Sequence, residues 1–532
     1  MLTPEAADVA GVTGAADRAG AAVPGNRWDL LDPPGLGQWT PTLPLSVVIP
    51  CRDDQAALER TVACLAEQTY PAALTEVLIV DDGSDPPVDL PAHALPGECV
   101  VVRLSGGGFG AGRARSVGAA VAGGDVVVFL DADVLTDRCH LEAHARWQHR
   151  SADAVTLGSR TFVDVDDLSL GQIAHAAGTG ALADLLDARP GEPHRWIEEH
   201  LRGSDRLLAG RGDEWRVVVG ASLGVHADLL AELGALPAFG IRGCEDTVLG
   251  YRLHARGGVI VPEPAARSWH QGARTLADPD EKARIFAARA PVLAQHIPDR
   301  RHRPAEAGRI WQTPMVTVEV TVTAESDPDM VVRCVEAVLA GTCTDLVLEV
   351  VGAASSAARQ AVAAWFAADP RVRVADTRGG LEAAHPFAPV RLSLPYDVLV
   401  GRHTIGRLVG YLRSGVVGMV HATLAAEAED AAGAAAQRVT AVSTRAQARL
   451  ARHGQLPDAQ GWRAGGLAGG LFEVLEVDAH AIGLTRAAAC DDAARSVRRA
   501  TRPRWRRLAG RIRRWAAGLA GPDGALRRRR AG

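Results

Sequence analysis

The sequence contains very little lysine, few aromatic residues and no closely spaced cysteine pair. Lys282 is the single lysine among 532 residues, and Phe, Trp and Tyr together make up 4% of the chain. The eight cysteines are scattered without a CxxC pair, so neither a structural zinc site nor a short-range disulfide framework is indicated. Free thiols in a reducing compartment are the simpler interpretation.

Segments typical of secretion or of membrane insertion are also missing. The first thirty residues lack a basic start followed by an apolar core, which argues against a secretory signal. The most apolar stretch, 408–424, contains Arg413 and falls short of the roughly 18 uncharged residues that a bilayer span needs. We therefore expect a cytoplasmic protein, with any membrane contact confined to the surface.

The charge is distributed unevenly along the chain. Residues 496–532 contain thirteen arginines and one acid, so this tail carries +12 and the preceding 495 residues carry −17. Trp505, Leu508, Ile512 and Trp515 alternate with those arginines at spacings of three and four, which predicts an amphipathic helix on an anionic membrane surface at the inner face of the membrane. Nucleic acid is a competing partner that we do not expect, since the body is acidic. A disordered solubilising tail is the remaining alternative.

The length predicts two large domains with extensions. Residues 1–42 are rich in Ala, Gly, Pro and Asp and indicate a flexible arm. Two α/β domains then follow over 43–275 and 314–495, joined by a linker helix within 276–313, and the basic tail ends the chain.

Short apolar runs alternate with segments of helical periodicity in the first domain. "LSVVIP", "EVLIV" and "VVVFL" are apolar throughout, which is typical of parallel strands covered by helices on both faces. Strand, helix and strand recur in the same order after residue 314, as in a weak internal repeat. There the second strand ends in "GAASS", where the first domain has "DDGSD", so the charged strand end is lost.

Polar segments follow three strands of the first domain. They are "DDGSD" with Asp81 and Asp82, the glycine-rich loop 106–112, and "DAD" with Asp131 and Asp133. Ligands of parallel sheets bind beyond the carboxyl ends of the strands, so we expect these segments to converge on one site.

The two aspartates of "DAD" suggest a metal site. Carboxylates two residues apart can approach one centre where the backbone turns after a strand, and their oxygens suit Mg²⁺ or Mn²⁺. Such an ion stabilises a departing diphosphate as a Lewis acid. The alternative is that Asp131 and Asp133 cap a turn, and a lone DxD favours that alternative; the neighbouring polar strand ends favour the metal.

The segments "SVVIPCRDD", "VLIVDDGSD", "GGGFGAGRARSVG" and "VVVFLDADV" together resemble a family 2 glycosyltransferase of the GT-A fold. The resemblance covers about 45–272. It implies a Rossmann-like, mostly parallel sheet with helices on both faces, followed here by a smaller α/β domain that we interpret as a degenerate GT-A-like repeat. The donor site implied by the resemblance consists of Pro50, Arg52, Asp81, Asp82, Gly110, Arg115 and Asp131. The family's usual asparagine after this arginine is replaced by Ser116.

The resemblance also implies catalytic and metal-binding residues. In "FGIRGCEDTVLG" it assigns the general base to Asp246 and acceptor orientation to Glu245, although two acids at a helix start are also favoured by the helix dipole. His270, in "SWHQG", would join Asp131 and Asp133 as a metal ligand.

We therefore predict a metal-dependent transferase that moves a sugar from a UDP- or GDP-sugar to a hydroxyl of a glycan, lipid-linked or small-molecule acceptor, with inversion. Two alternatives remain open. One is a non-catalytic scaffold that binds sugar nucleotides or polysaccharide, and the other is a nucleotidylyltransferase, which also uses carboxylate-bound metal.

Overall fold

The computed structural model describes residues 20–90, 97–105, 110–235, 239, 243–272, 279–304, 309–413, 415–424, 437–454 and 471–486. The loop 106–109 and the tail 496–532 lie outside the described residues, as do residues 1–19.

The helices are α1 Gln55–Leu65, α2 Ala111–Val121, α3 His140–Gln148, α4 Leu170–Thr179, α5 Leu182–Asp187, α6 Arg195–Gly203, α7 Ala227–Ala231, α8 Glu245–Ala255, α9 Pro279–His296, α10 Pro328–Leu339, α11 Ala357–Trp365, α12 Gly380–Ala384, α13 Thr404–Leu412 and α14 Thr444–Arg452. The strands are β1 Leu45–Cys51, β2 Thr75–Asp81, β3 Glu98–Arg103, β4 Val126–Leu130, β5 Val134–Thr136, β6 Ala154–Val163, β7 Gly191–Pro193, β8 Ser222–His226, β9 Val259–Gln271, β10 Val316–Thr321, β11 Leu346–Val351, β12 Val372–Ala375, β13 Val390–Pro395, β14 Val398–Val400, β15 Val417–Leu424, β16 Gln437–Ser443, β17 Glu473–Asp478 and β18 Leu484–Arg486. None of the helices in this described part is long and apolar enough to cross a bilayer.

The first domain is built on a nine-stranded sheet in the order β3-β2-β1-β4-β8-β6-β9-β5, with β7 paired to β6. The pairs β3–β2, β2–β1 and β1–β4 are parallel, whereas β8 runs antiparallel to both β4 and β6. Apolar side chains on both faces of β1 and β4 are fully buried, as expected of strands covered by helices on both sides. The predicted fold class is confirmed.

The local sequence explains how α1 begins and how α2 packs on this sheet. The Asp54 carboxylate accepts a hydrogen bond from the Ala57 N–H and so caps α1, which satisfies one of the unpaired amides at a helix start. In α2, a Cβ at Gly118 would lie 2.3 Å from Val48 Cγ1. The absence of that atom lets α2 pack closely on β1.

The segment 20–42 differs from the predicted flexible arm. Val23 and Leu31 are buried. The Asn26 side chain donates hydrogen bonds to the carbonyls of Leu207 and Ile260 and accepts one from the Ile260 N–H at 2.8 Å. These partners are more than 180 residues away in sequence, so no local pattern indicated them.

The second domain repeats the order of the first at its centre. Its seven-stranded sheet runs β12-β11-β10-β13-β16-β15-β17, so β10 lies between β11 and β13 as β1 lies between β2 and β4. An antiparallel strand follows β13 just as β8 follows β4. Helix α9 lies between the last strand of the first sheet and the first strand of the second.

Helix α14 of the second domain packs against the first domain through buried ionic groups. Asp153 is 0% exposed and pairs with Arg452 and with His453, the latter at 2.8 Å. The Arg449 guanidinium donates to the carbonyls of Gly257 at 2.8 Å and Gly25 at 2.7 Å. The two sheets are therefore fixed to each other by hydrogen-bonded charges.

Candidate active site

An open cleft of about 610 Å³ lies beyond the carboxyl ends of β1 and β4. Ten of the eleven predicted site residues line it: Pro50, Arg52, Asp82, Gly110, Arg115, Asp131, Asp133, Glu245, Asp246 and His270. They come from strand ends, from the start of α2 and from the start of α8. The structure thus brings together residues that are separated by more than 200 positions in the sequence.

Asp81 is the predicted residue that does not line the cleft. Its carboxylate is 2% exposed and accepts hydrogen bonds from the N–H groups of Ser84 at 2.8 Å and Val88 at 3.2 Å. Burial would raise the pKa of Asp81, but these hydrogen bonds and the charge of Arg103 outweigh it and hold the pKa below its ordinary value. Asp81 therefore shapes the turn after β2, in place of the predicted contact with the nucleotide.

The neighbouring Asp82 does face the cleft and orders the start of α2. Its Oδ2 accepts a hydrogen bond from the Gly110 N–H at 3.1 Å. Gly110 has a φ of 147°, in a region that side chains avoid, so glycine suits this position. Arg52 is 42% exposed and lies 3.5 Å from the Asp53 carboxylate.

Arg115 links the DxD segment to the acidic pair of α8. Its side chain is 4% exposed; Nη2 donates to Asp131 Oδ1 at 2.6 Å, and Nη1 donates to Asp246 Oδ1 at 2.8 Å. Burial acts to lower the pKa of Arg115, but the charges of Asp246, Asp131 and Glu245 overcome that effect and raise it. The guanidinium is therefore a permanent cation at the base of the cleft.

Two glycines permit this arrangement. A Cβ at Gly220 would lie 2.5 Å from Arg115 Cζ, and a Cβ at Gly112 would lie 2.7 Å from Glu245 Cβ. The Gly220 N–H also donates to Asp246 Oδ1 at 3.0 Å. Gly220 was not predicted, since nothing in its local sequence distinguishes it from other loop glycines.

Asp133 and His270 form a second contact in the cleft. His270 Nε2 lies 3.2 Å from Asp133 Oδ2, and His270 Nδ1 lies 3.0 Å from the Gln271 carbonyl oxygen. Burial, followed by repulsion from Asp131, raises the pKa of Asp133 to about 7. Desolvation and the adjacent Asp246 likewise raise the pKa of Glu245. Negative charge in the cleft is thus incompletely compensated.

The three predicted metal ligands are not gathered around one point. Within the described ranges, no group of three or more His, Cys, Asp or Glu side chains is placed to hold a metal ion, because Asp131 turns to Arg115. However, magnesium in nucleotide sites is commonly bound by one or two carboxylates together with substrate phosphates. Asp133 and His270, whose Oδ2 and Nε2 atoms lie 3.2 Å apart, fit that smaller donor set.

Several lining residues were missed by the sequence reasoning. They are Arg160 and Phe162 of β6, His194, Val219, Gly243 and Arg289. Arg160 interrupts an otherwise uncharged strand, which is the one signal that pointed to it. The position of Arg289 follows from the packing of α9, which the sequence does not specify.

Residues 46–197 match the model of the family described as "Glycosyl transferase family 2". Chondroitin synthase of Escherichia coli is 24% identical over 317 residues, which cover 57% of this chain and 45% of that protein. Undecaprenyl-phosphate 4-deoxy-4-formamido-L-arabinose transferase of Serratia proteamaculans (strain 568) is 39% identical over 101 residues, covering 18% of this chain and 30% of that protein. The chain thus spans less than half the length of these curated relatives.

A solved structure, that of S. aureus TarS residues 1–349 in complex with UDP-GlcNAc, is 16% identical and covers 49% of this chain and 69% of that one, with a TM-score of 0.33. The residues that match the family model all lie within the first domain.

Proposed function

We propose that the first domain transfers a sugar from a nucleotide-diphosphate sugar to a hydroxyl group of an acceptor. The observation that carries this proposal is the bridge from Asp131 through Arg115 to Asp246. It joins the DxD segment, which the family uses for the donor, to the acid that it uses as the base. The family match over 46–197 supports the same activity.

The donor nucleotide binds at the ends of β1 and β2. Pro50 lies at the end of β1, Arg52 follows that strand, Asp82 follows β2, and all three line the cleft. Gly110 lets the backbone at the start of α2 approach the diphosphate closely, where helix amides favour an anion. The acceptor, whether glycan, lipid-linked or small molecule, enters from the side of α8.

A divalent ion, Mn²⁺ or Mg²⁺, fits the charge of this cleft. Seven carboxylates and four guanidinium groups line it among the described residues, so a donor diphosphate adds to an existing excess of negative charge. Asp133, His270 and Asp131 would hold the ion. If His270 Nδ1 donates to the Gln271 carbonyl, Nε2 keeps its lone pair for a metal. The ion would supply Lewis-acid stabilisation of the leaving diphosphate.

Asp246 accepts the proton of the acceptor hydroxyl. Both hydrogen bonds that Asp246 makes within the described part of the chain involve Oδ1, so Oδ2 remains for the hydroxyl. As the proton moves to Asp246, the acceptor oxygen bonds to the anomeric carbon and the bond from that carbon to the diphosphate breaks, its electron pair leaving with the diphosphate. A single displacement of this kind inverts the anomeric carbon. Glu245 orients the acceptor.

The test incubates the full chain with UDP- and GDP-sugars, with and without Mn²⁺, and measures both nucleotide diphosphate and pyrophosphate. We expect slow, metal-dependent release of UDP or GDP, which Asp133→Asn abolishes. Asp184→Asn, an exposed change on α5, is the matched control and retains the activity.

Other outcomes contradict the proposal and favour one of the alternatives. Release of pyrophosphate indicates nucleotidylyl transfer. Tight donor binding without any turnover indicates a scaffold. Full metal-dependent activity in Asp133→Asn removes the assigned metal site.

A further inference from the structure

Arg160 is a cation that lines the cleft and has an unpaired hydrogen-bond donor among the described residues. Its Nε is buried and has no hydrogen-bond partner within the described residues. Burial lowers the pKa of Arg160 more than the charges of Asp131, Asp246 and Asp133 raise it. A guanidinium presents its N–H groups as a planar fork that matches carboxylate and phosphate groups. An unsatisfied buried donor of this kind is costly unless a ligand completes it.

The register of β6 and β9 fixes where this cation stands. Arg160 pairs with Ser268 and Phe162 pairs with His270, and residues two apart on a strand share one face. The ring of Phe162 packs on that of His270 with centroids 4.8 Å apart. Arg160 Cζ lies 5.4 Å from the centre of the Phe162 ring. Arg160 is therefore held beside the proposed metal ligands.

Arg160, together with His194 and Val219, lines both the cleft and a smaller pocket of about 130 Å³. Apolar side chains such as Leu157 and Ile197 line part of the smaller pocket. Its other charged side chains either have partners of their own or are exposed. Glu263 accepts from Arg146 and Trp147, Arg206 donates to the Pro262 carbonyl, and Glu198 is exposed.

The strand order separates Arg160 from the end of the cleft that is assigned to the nucleotide. In the sheet, β4 and β8 lie between β1 and β6, so β6 is about 14 Å from β1 at the usual strand spacing. Arg160 is thus far from the ends of β1 and β2, and it lines the same cleft as Asp246.

We infer that Arg160 binds a carboxylate or phosphate group on the acceptor and so selects anionic acceptors. This inference rests on the proposed function, because it takes the end of the cleft beside β1 as the donor site. The anionic group lies against the Arg160 fork while an adjacent hydroxyl is presented to Asp246. The smaller pocket takes the neighbouring part of the acceptor.

Calorimetric titration of the full chain with small probes tests this role. The probes are methyl glucuronide, methyl glucoside 6-phosphate and neutral methyl glucoside, each added in the presence of UDP and Mn²⁺. We expect the wild type to bind the charged probes about tenfold or more tightly than the neutral one, as a charge-assisted contact predicts. Arg160→Gln removes most of that preference and leaves affinity for UDP-glucose unchanged.

Two further variants keep the test decisive. Arg195→Gln changes an arginine whose side chain is 73% exposed and retains the preference. Arg160→Lys keeps the charge but loses the planar guanidinium, and we expect an intermediate preference for the charged probes. If circular dichroism shows that Arg160→Gln is misfolded, the preference of Arg160→Lys is the result that tests the inference.

Equal affinity of the wild type for charged and neutral probes overturns the inference, as does a preference that survives in Arg160→Gln. Loss of UDP-glucose affinity with the preference intact also overturns it, since Arg160 would then serve the donor phosphates. Absence of nucleotide-sugar turnover in the wild type contradicts the proposed function alone, because probe binding is measured without turnover.

Discussion

Replacing Arg115 with methionine tests whether one buried cation holds the cleft together. Arg115 Nη2 lies 2.6 Å from Asp131 Oδ1, and Arg115 Nη1 lies 2.8 Å from Asp246 Oδ1. Methionine fills much of the volume of the arginine side chain but removes the cationic partner of both carboxylates. Removing one member of a buried ion pair typically costs about 3–5 kcal/mol. Because Asp131 and Asp246 are 29% and 21% exposed, water can solvate them in part, and we expect the lower end, about 3 kcal/mol.

The assay is differential scanning calorimetry of the full chain, with the transition of the first domain assigned by adding UDP and Mn²⁺. For a domain of 150–250 residues, each kcal/mol shifts the midpoint by roughly 2–4 °C, so Arg115→Met is expected to lower it by about 6–12 °C. Adding Asp131→Asn and Asp246→Asn to Arg115→Met removes the uncompensated charges and recovers part of the loss. A shift below about 2 °C for Arg115→Met, or no recovery in the triple variant, would refute the reasoning.

Three other predictions follow from particular contacts. Asp246→Asn is expected to keep donor affinity and lower kcat by about 10²–10⁴-fold, the usual contribution of a general base; unchanged kcat in steady-state transfer assays rules out the assignment. His140 is 0% exposed and burial lowers its pKa from 6.5 to about 4, so the unfolded chain takes up more protons between these values and stability falls as the pH drops through that window, by up to about 3 kcal/mol. Urea midpoints from pH 7 to pH 4 should fall less steeply in His140→Gln, and an identical slope contradicts this. Asp153→Asn leaves Arg452 and His453 without their buried acid and is expected to increase the temperature difference between the calorimetric transitions of the two domains; an unaltered difference would show that this cluster does not couple them.

The sequence was most informative where a side chain follows a strand. Continuous apolar runs marked β1, β2 and β4, and the parallel arrangement then placed Asp82, Asp131 and Asp133 at one edge. The same reasoning fails for Asp81, because the turn that follows β2 directs backbone amides at its carboxylate. Asp81 and Asp82 are adjacent, but only Asp82 lines the cleft. The difference depends on the backbone conformation of the turn, which the amino-acid composition does not reveal.

Contacts between distant segments were beyond local patterns. Arg115 and Asp246 are 131 residues apart, and their hydrogen bond depends on α2 and α8 meeting at Gly112. Arg160 was overlooked because a single arginine in a strand is ordinarily interpreted as an edge or surface residue. The packing of 20–42 depends on the Asn26 side chain pairing with β9, and an asparagine in a loop gives no sign of such a partner.

The most direct test of the central claim is the position of Mn²⁺ in crystals grown with a bound nucleotide sugar, determined from anomalous diffraction. The account predicts one strong peak in contact with the diphosphate and with Asp133, with the nucleotide base next to Pro50 and Arg52. A peak remote from Asp133, or a nucleotide bound outside this cleft, would contradict it.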